Sequence, residues 1–234
     1  MKKVSIITVC YNSEADIENT IQSVVPFVSD VVEYVVIDGG STDKTLQILN
    51  KYKDKISILV SEPDKGIYDA MNKGINKATG KWFIFINCGD ELLHLPHELF
   101  NQDNDKYAAI FGSVRVDEHV VIKPTFDCRL KIRNSLPHQG LFYNKSSIDV
   151  HFDTQFKIFS DYDFNLKMYK KGIDYLIVDD IIAFHSLKGI SNSKKAVKEL
   201  FVVINKNGGW PFVILSFIYF KFFGLFKKLR KWAK

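Results

Sequence analysis

Acidic residues in this chain follow apolar segments in the way that ligand-binding residues follow strands. In Tyr34–Thr45 a run of β-branched residues ends at Asp38, and Gly39 comes next. Such runs favour buried strands, and an open parallel sheet binds ligands at the carboxyl ends of its strands. Glycine lets the backbone approach a ligand closely, and a carboxylate can accept a hydrogen bond from a ligand N–H. Ser41 or Thr42 is expected to cap the helix that follows.

Two further acids are placed for chemistry. Asp90 follows the apolar start of Phe85–Glu91, where a carboxylate could bind a hard cation such as Mg²⁺ or Mn²⁺. Ser160 and Asp163 have the spacing of a capping box at the start of a helix. Asp161 is not needed for that cap and could take a proton from a hydroxyl group, with Asp163 as the second candidate.

Alternating strand and helix patterns position these residues. Strand, helix, strand at short intervals indicates βαβ crossovers, so the predicted fold class is α/β, with a mostly parallel twisted sheet flanked by helices. The first helix is expected to be capped by Ser13, with Asp16 as its capping-box partner. The other predicted elements of this half are the strands Val4–Val9, Glu33–Asp38, Ile56–Val60 and Trp82–Ile86 and the helix Ile67–Ala78.

The second half of the chain is less regular. A hairpin is predicted around Asp117-Glu118, between segments 108–116 and 119–122. No linker-like stretch separates the halves, so residues 1–205 are expected to form one domain with halves 1–95 and 96–205, followed by a tail, 206–234. The remaining predicted elements are the strands Leu141–Tyr143, Tyr175–Val178 and Ile181–Phe184 and the helix Asp161–Lys171.

The tail carries the basic character of the chain. The formal net charge is +5, and six cations with no acid follow residue 220, which leaves −1 for the rest. A near-neutral body argues against a nucleic-acid-binding surface. The apolar stretch Trp210–Phe226 is interrupted by Lys221, whereas a membrane span needs about 20 apolar residues. We expect an interfacial helix on anionic lipid; burial against the domain or a dimer partner is the alternative.

The cysteines indicate a reducing compartment. Cys10, Cys88 and Cys128 are few, odd in number and widely spaced, so neither a disulfide framework nor a zinc site is indicated. Reduced thiols in the cytoplasm are the simplest interpretation. The N-terminal residues are interpreted as a first strand and not as a signal peptide. The expected location is cytoplasmic, peripheral at the inner face of the cell membrane.

Several blocks, in order, give the chain a resemblance to the family 2 glycosyltransferases, which have the glycosyltransferase-A fold, and among them to bacterial polysaccharide and colanic-acid-type sugar transferases. The resemblance is strong over residues 1–95, thins through the middle and is absent in the tail. HQG at 138–140 and SDYDF at 160–164 are weaker matches. The strong blocks are VSIITVCYNSE (Val4–Glu14), VVIDGGSTDKT (Val35–Thr45), EPDKGIYDAMNKGI (Glu62–Ile75) and FINCGDE (Phe85–Glu91).

The resemblance implies a nucleotide-diphosphate sugar donor, of UDP or GDP type, in the first half. Asp38 would accept from the base and Tyr11 would offer an aromatic face. Without the resemblance, Asp38 would only cap its turn, and Asp69 would only pair with Lys73 at (i, i+4). The full set of implied donor-binding residues is Thr8, Tyr11, Asp38, Gly39, Gly66 and Asp69.

It also implies that Asp90 binds a divalent cation, Mn²⁺ or Mg²⁺, which neutralises the diphosphate leaving group. The chain departs from the family form, in which two Asp are separated by one residue, because Asn87 and Cys88 precede Gly89 and Asp90. Asp90 is therefore expected to bind the metal alone with the diphosphate and water, and weak metal dependence is the alternative. Some relatives place a metal-binding histidine after a strand, as His185 would be.

For the second half, the resemblance implies that Asp161 is the base of an inverting transfer and that His138 and Gln139 line the acceptor pocket. The expected function is transfer of a sugar to a glycan or polyprenyl-linked acceptor in cell-surface polysaccharide assembly. A nucleotidyltransferase is a weaker alternative, because Cys10–Glu14 lacks the glycine and lysine of a triphosphate loop. A membrane-docked nucleotide-sugar-binding protein without catalysis is the other, supported by the altered metal motif.

Overall fold

The computed structural model describes residues 3–116, 120–186 and 194–232. Its strands are β1 (Val4–Cys10), β2 (Val32–Asp38), β3 (Ile58–Ser61), β4 (Trp82–Phe85), β5 (Glu91–Leu92), β6 (Ala109–Arg115), β7 (Val121–Ile122), β8 (Leu141–Asn144) and β9 (Tyr175–Phe184). Its helices are α1 (Ile17–Val24), α2 (Thr45–Lys51), α3 (Ile67–Lys77), α4 (Ser160–Lys171), α5 (Lys194–Gly208) and α6 (Trp210–Trp232).

All nine strands belong to one sheet, in the order β3-β2-β1-β4-β8-β6-β9-β5, with β7 beside β6. The sheet is parallel where strands alternate with helices: β1 pairs with β2 and β4, and β2 pairs with β3. β8 then runs antiparallel between β4 and β6. The described residues between β6 and β8 contain only short 3-10 turns besides β7 and no α-helix, the usual crossover between parallel strands. The predicted α/β class is confirmed.

The sheet has a hydrophobic core on each face, and the central strands β1 and β2 contribute side chains to both because they are buried on both faces. Ile7 and Val35 face one core, together with Met71 of α3. Ile6 packs in the other core with Ile21 of α1. The alternation fixes the register of the sheet, since a shift by one residue would exchange the two sets.

The predicted caps of α1 and α2 are wrong. α1 begins at Ile17 after Asp16, and the Ser13 hydroxyl donates to Tyr11 O instead. α2 begins at Thr45 after Lys44. The Ser41 hydroxyl is engaged elsewhere, because its oxygen accepts from Asn12 N at 2.8 Å and its proton is donated to Asp38.

The predicted capping box at α4 is also wrong. The helix begins at Ser160 itself, one position before the predicted start, and Phe159 precedes it. The Ser160 hydroxyl has no hydrogen-bond partner among the described residues. The Asp163 carboxylate instead pairs with Lys167 and accepts from Asn207. Asp163 therefore has a structural role that is independent of capping.

The strand pairing of β6 differs from the prediction on one side. The two strands predicted within 175–184 form one strand, β9, which contains a register shift at Asp179 and Asp180: Phe111 pairs with Ile177, whereas Ser113 pairs with Ile181. The predicted hairpin partners do pair antiparallel, Val114 with Ile122. Its turn at 117–118 lies outside the described residues.

Within residues 210–222, helix α6 packs against the domain with one face. Phe212 and Val213 pack against the core, and Ser216 is buried, with its hydroxyl 2.7 Å from Ile132 O. Among described helices, none is both long and apolar enough to cross a membrane. The side chains after Phe222, including most predicted lipid-facing cations, lie outside the description. The exposed apolar residues of α6 are Trp210, Ile214, Leu215, Phe217, Ile218, Phe220 and Phe222.

Candidate active site

A cavity of about 510 Å³ opens at the carboxyl ends of β4, β6 and β9. Asp90 follows β4 and His185 follows β9, while Asp161 enters from the first turn of α4. His138 and Gln139 also line this cavity. The structure therefore brings together the residues predicted for metal binding, acceptor binding and proton transfer, which come from four separate parts of the chain.

Asp161 is held by two polar side chains. Its Oδ1 accepts from the Tyr68 hydroxyl at 3.0 Å, and its Oδ2 lies 3.3 Å from His138 Nδ1. The single proton of this hydroxyl is shared with Ile158 O, which lies 2.7 Å away. The carboxylate is almost fully buried yet borders the cavity. It can act as a positioned proton acceptor, the role that the sequence predicts and that stays a prediction.

His138 sits between Asp161 and Asn87, whose Nδ2 lies 3.1 Å from its Nε2. Burial by itself would lower the pKa of His138, but the hydrogen bond to Asp161 and the charges of Asp161 and Asp90 outweigh it and raise that pKa above its usual value. An imidazole that faces a carboxylate can orient it and share its proton. The predicted acceptor contact of His138 is untested.

The loop before α4 is fixed from a second helix. Glu199 of α5 accepts hydrogen bonds from three successive backbone N–H groups, those of Lys157, Ile158 and Phe159, at 2.7–3.0 Å. These donors lie at a helix N-terminus, where a carboxylate is electrostatically favoured. Glu199 therefore holds the segment that carries Asp161.

Asp90 lies in a second polar group beside the first. Its Oδ1 is 2.8 Å from His185 Nδ1 and accepts from Ser186 N at 3.2 Å. Its Oδ2 accepts from Gln139 Nε2 at 2.9 Å. Gln139 lines the cavity with its amide against Asp90, and its predicted contact with the acceptor stays a prediction.

The residues around Asp90 fit a divalent cation. The Asp90 carboxylate is the ligand type that Mg²⁺ and Mn²⁺ prefer, and the His185 imidazole beside it is a ligand type of transition metals. Cys88 does not suit this role, because burial chiefly raises the pKa of its thiol to about 11 and keeps it protonated. In the described part of the chain, no three His, Cys, Asp or Glu side chains converge as a complete ligand set.

The predicted donor residues of the first two strands lie apart from this cavity. Asp38 is fully buried and accepts from the hydroxyls of Ser41 and Ser61. Thr8 is fully buried too, and its hydroxyl donates to Ile86 O. Neither side chain reaches the surface in this conformation, because the turn at Ser41 closes over Asp38. Their donor contacts stay predictions.

A second acid, the partly exposed Asp64, lies near that turn. A Cβ added to Gly39 would meet the Asp64 carboxylate and, at 3.4 Å, the ring of Tyr11. Tyr11 is 59% exposed, as an aromatic platform for a base would be. Asp64 also accepts from Gly66 N at 2.7 Å. Asp64 stands in the Glu62–Ile75 block, but the sequence pattern pointed to Asp69 as the donor-binding acid of that block.

The start of α3 connects these two regions. Gly66 has φ +119°, and its neighbour Ile67 lines the cavity. Asp69 accepts from Lys65 N at 3.0 Å and lies 3.7 Å from Lys73, so its observed contacts are local to the turn. Lys157 reaches across from the α4 loop to Lys65 O.

Other contributors to the site had weak sequence signals. Tyr68 was visible only as one apolar position of α3, and Glu199 lies in a helix outside every matched block. Asn87 stands in the altered metal motif, and its contact with His138 is created only by the fold, which brings the two side chains within 3.1 Å. His185 had one signal, its place after a strand, and it lies 2.8 Å from Asp90.

Comparison with known proteins supports one family. The profile described as "Glycosyl transferase family 2" matches residues 5–176. A PGL/p-HBAD biosynthesis glycosyltransferase of Mycobacterium bovis is 28% identical over 181 residues, which are 69% of this chain and 68% of that protein. The poly(ribitol-phosphate) beta-N-acetylglucosaminyltransferase TarS of Staphylococcus aureus is 33% identical over 124 residues, 51% of this chain and 20% of that protein.

Solved structures share the fold. S. aureus TarS 1-349 in complex with UDP superposes with a TM-score of 0.69 at 20% identity, over 88% of this chain and 65% of that chain. The mannosyltransferase PcManGT of Pyrobaculum calidifontis, in complex with GDP-Man and Mn²⁺, gives 0.63 at 16% identity, with the same two coverages. The chain thus spans about 65% of the length of these structures. The predicted glycosyltransferase-A fold is confirmed.

Proposed function

The chain belongs to glycosyltransferase family 2 and is a glycosyltransferase, and on that premise we propose that it transfers a sugar from a nucleotide-diphosphate donor to a lipid-linked glycan acceptor, with inversion at the anomeric carbon. In the proposed division, residues 1–95 bind the donor, residues 96–205 bind the acceptor and residues 206–234 dock at a membrane. The product belongs to cell-surface polysaccharide assembly.

The observation that carries the proposal is that Asp161 and Asp90 line the same cavity, each in its own set of hydrogen bonds. In the proposed reaction, Asp161 takes the proton of the acceptor hydroxyl as its oxygen bonds to the anomeric carbon. The bond from that carbon to the diphosphate breaks on the opposite side, and the nucleoside diphosphate leaves. The two acids serve opposite ends of this displacement.

Support for the donor comes from the relatives and from the first half. Structures of neighbours hold UDP, UDP-GlcNAc or GDP-Man. We propose that the nucleobase of the donor stacks on the exposed ring of Tyr11, with Gly39 and Asp64 beside it. Asp38 would stabilise the turn below by accepting from Ser41 N. Gly66 and Asp69 would face the ribose side, while Thr8 would act through the fold of β1.

Support for a cation comes from the group around Asp90. Asp90 and His185 would hold Mn²⁺ or Mg²⁺, as the neighbour with bound Mn²⁺ suggests for the family. When bound, the cation would neutralise the developing charge of the leaving diphosphate. The chain's own part is to orient the Asp90 carboxylate, to which Ser186 N donates at 3.2 Å.

Support for a lipid-linked acceptor comes from α6. Its exposed face is apolar, and it attaches through Ser216 and Tyr219 to Ile132 and Arg133, just before Asn134 and His138 enter the cavity. A membrane-bound α6 would hold the acceptor side of the cavity near the lipid surface. The free thiols agree with the proposed place at the cytoplasmic face of the cell membrane.

The test is Asp161→Asn. This variant should bind nucleotide-sugar with unchanged affinity, because Asp161 does not contact the donor, and should lose transfer by roughly 10²–10⁴-fold. Thermal-shift screening against UDP- and GDP-sugars, with and without Mn²⁺, selects the donor, and a membrane extract supplies the acceptor. Wild-type transfer by Asp161→Asn would refute the proposed base, and donor binding without transfer by the wild type would favour a binding protein.

A further inference from the structure

The geometry points to Gln139 as a ligand of the divalent cation, through its side-chain carbonyl oxygen, so that Asp90, His185 and Gln139 form one three-residue metal site. This assignment rests on the proposed function in so far as that function includes a cation. It moves Gln139 from the acceptor pocket to the metal site and gives this chain a replacement for the acid that its motif lacks.

The three side chains meet pairwise at nearly equal distances. Asp90 Oδ1 and His185 Nδ1 are 2.8 Å apart, His185 Nδ1 and the Gln139 amide are 2.8 Å apart, and the Gln139 amide is 2.9 Å from Asp90 Oδ2. Asp90 and Gln139 are almost fully buried, while His185 is partly exposed toward the cavity. The group therefore sits at the cavity wall with its polar atoms turned toward one another.

Hydrogen bonds alone cannot satisfy all three contacts while Asp90 is a carboxylate. If His185 Nδ1 carries a proton, that proton suits Asp90 but opposes the N–H of Gln139. If Nδ1 carries a lone pair, it suits Gln139 but opposes Asp90 Oδ1. Turning the amide over relieves the first conflict and places the carbonyl oxygen of Gln139 against Asp90 Oδ2. One contact is repulsive in each arrangement.

A cation removes the conflict in a single arrangement. The two ends of a glutamine amide exchange by a half-turn of the side chain, so the atom assigned as Nε2 marks a position that Oε1 can occupy. Carboxylate oxygen, imidazole nitrogen and amide oxygen then all present lone pairs to the same ion. For metal–ligand distances of about 2.0–2.1 Å, adjacent octahedral ligands lie about 2.9 Å apart. The contacts of His185 Nδ1 with Asp90 Oδ1 and with the Gln139 amide, 2.8 Å each, are close to this length.

The remaining contacts hold this group in place. Ser186 N donates to Asp90 Oδ1, and Thr20 accepts from Gly89 N and donates to Asp90 O, which anchors the loop that carries Asp90. Gln139 lies in a short 3-10 turn directly before β8, so its backbone is set by the sheet. Pre-positioned ligands need little rearrangement to bind a cation.

The experiment measures Mn²⁺ binding to the full chain by the electron paramagnetic resonance signal of free Mn²⁺, with and without UDP. Gln139→Leu should weaken binding at least about tenfold, a typical loss on altering a metal site. Gln139→Glu should bind as tightly as the wild type or more tightly, because a carboxylate oxygen replaces the carbonyl. Gln22→Leu, which removes an exposed amide that donates to Tyr52, is the matched control and should bind normally.

Gln139→Glu separates a ligand from a mere hydrogen-bond donor. If Gln139 only donated to Asp90, the new carboxylate would repel Asp90 and weaken binding as much as leucine does, and that result overturns the assignment. Wild-type affinity in Gln139→Leu, or no Mn²⁺ binding by the wild type, also overturns it. Thermal unfolding checks that each variant folds, and Gln139→Met replaces the leucine variant if that one does not.

Failure here and failure of the proposed function are distinguishable. Mn²⁺ binding that is lost in Asp90→Asn but kept in Gln139→Leu removes Gln139 from the site and leaves the transferase proposal intact. Wild-type transfer by Asp161→Asn refutes the proposed base and leaves the metal ligands as assigned.

Discussion

The Tyr68 hydroxyl lies 3.0 Å from Oδ1 of Asp161, although the two residues are 93 positions apart. Tyr68 stands in the first turn of α3, beside the residues predicted to hold the donor, and Asp161 stands in the first turn of α4. Burial, with the charge of Asp161 next, raises the pKa of Tyr68 well above its usual value, so it stays a neutral donor. This hydrogen bond ties the two halves of the site together.

Tyr68→Phe should lower kcat by roughly 10- to 100-fold and change the donor KM little. The variant keeps the ring, which packs 5.5 Å from Phe152, but removes one hydrogen bond to a charged group, worth about 1.5–3 kcal/mol. Steady-state kinetics with a nucleotide-sugar measure both constants. Tyr162→Phe is the matched control, since it loses a buried bond to Leu130 O without touching Asp161. An equal loss of kcat in both variants would show that the effect is general destabilisation.

Glu199→Leu should reduce both stability and kcat. Three backbone N–H groups before α4 would lose their acceptor, which costs roughly 2–3 kcal/mol of unfolding free energy. Glu199→Gln should cost less, because one amide oxygen still accepts. Urea unfolding gives the free energies, and Lys198→Leu on the same helix is the control. A kcat unchanged in the folded Glu199→Leu variant would mean that the loop holds Asp161 without this anchor.

His138 should titrate above 6.5, its ordinary value, in the metal-free protein. Its raised pKa means that its stabilising effect is complete below about pH 6.5 and is lost as pH rises through the raised value. The groups that face it are Asp161, Asp90 and the amide of Asn87. Imidazole NMR resonances measured against pH give the midpoint. Asp161→Asn should lower it, and an unchanged midpoint would contradict the inferred pairing.

Glu33 should stabilise the fold only at higher pH. Burial by itself would raise the pKa of Glu33, but hydrogen bonds from Ser5, Thr79 and Gly80 outweigh it and lower that pKa below about 4.5. Its contribution is therefore present above about pH 4.5 and lost as pH falls through the lowered value. Glu33→Gln should cost roughly 1–2 kcal/mol at pH 7 and less at pH 3. Unfolding at both pH values measures this, and a difference that persists in acid would refute it.

Phe217→Asp should weaken binding to vesicles of anionic phospholipid by roughly tenfold or more. The side chain is 57% exposed on α6, and burying a phenylalanine is worth about 1.5–3 kcal/mol. Vesicle sedimentation at two salt concentrations measures the apolar and charge contributions. Val31→Asp, at an exposed apolar residue before β2, is the control. If the wild type binds no vesicles and instead forms a concentration-dependent dimer, the face serves a second copy.

The local elements of the first half were predictable because short-range patterns decide them. Alternating strand and helix signals gave the parallel strands and α3 to within a few residues, since β-branched runs and helical spacing act within one element. The predicted caps failed where other groups took the capping hydroxyl. The Ser41 hydroxyl donates to Asp38 and accepts from Asn12 N, 29 positions away, and the Ser13 hydroxyl donates to Tyr11 O. Hydrogen-bond donors choose among all neighbours in space.

By itself, the sequence determined the fold class, the family and the acids that can do chemistry, because residue type and local spacing encode them. Only the tertiary structure decided which of those acids share a cavity. Asp38 is buried, Asp64 lies beside Gly39 and Tyr11, and Gln139 contacts Asp90 and His185. Those outcomes depend on contacts between elements far apart in the chain, where a side chain's partners are set by the packing of strands and helices and no local pattern records them.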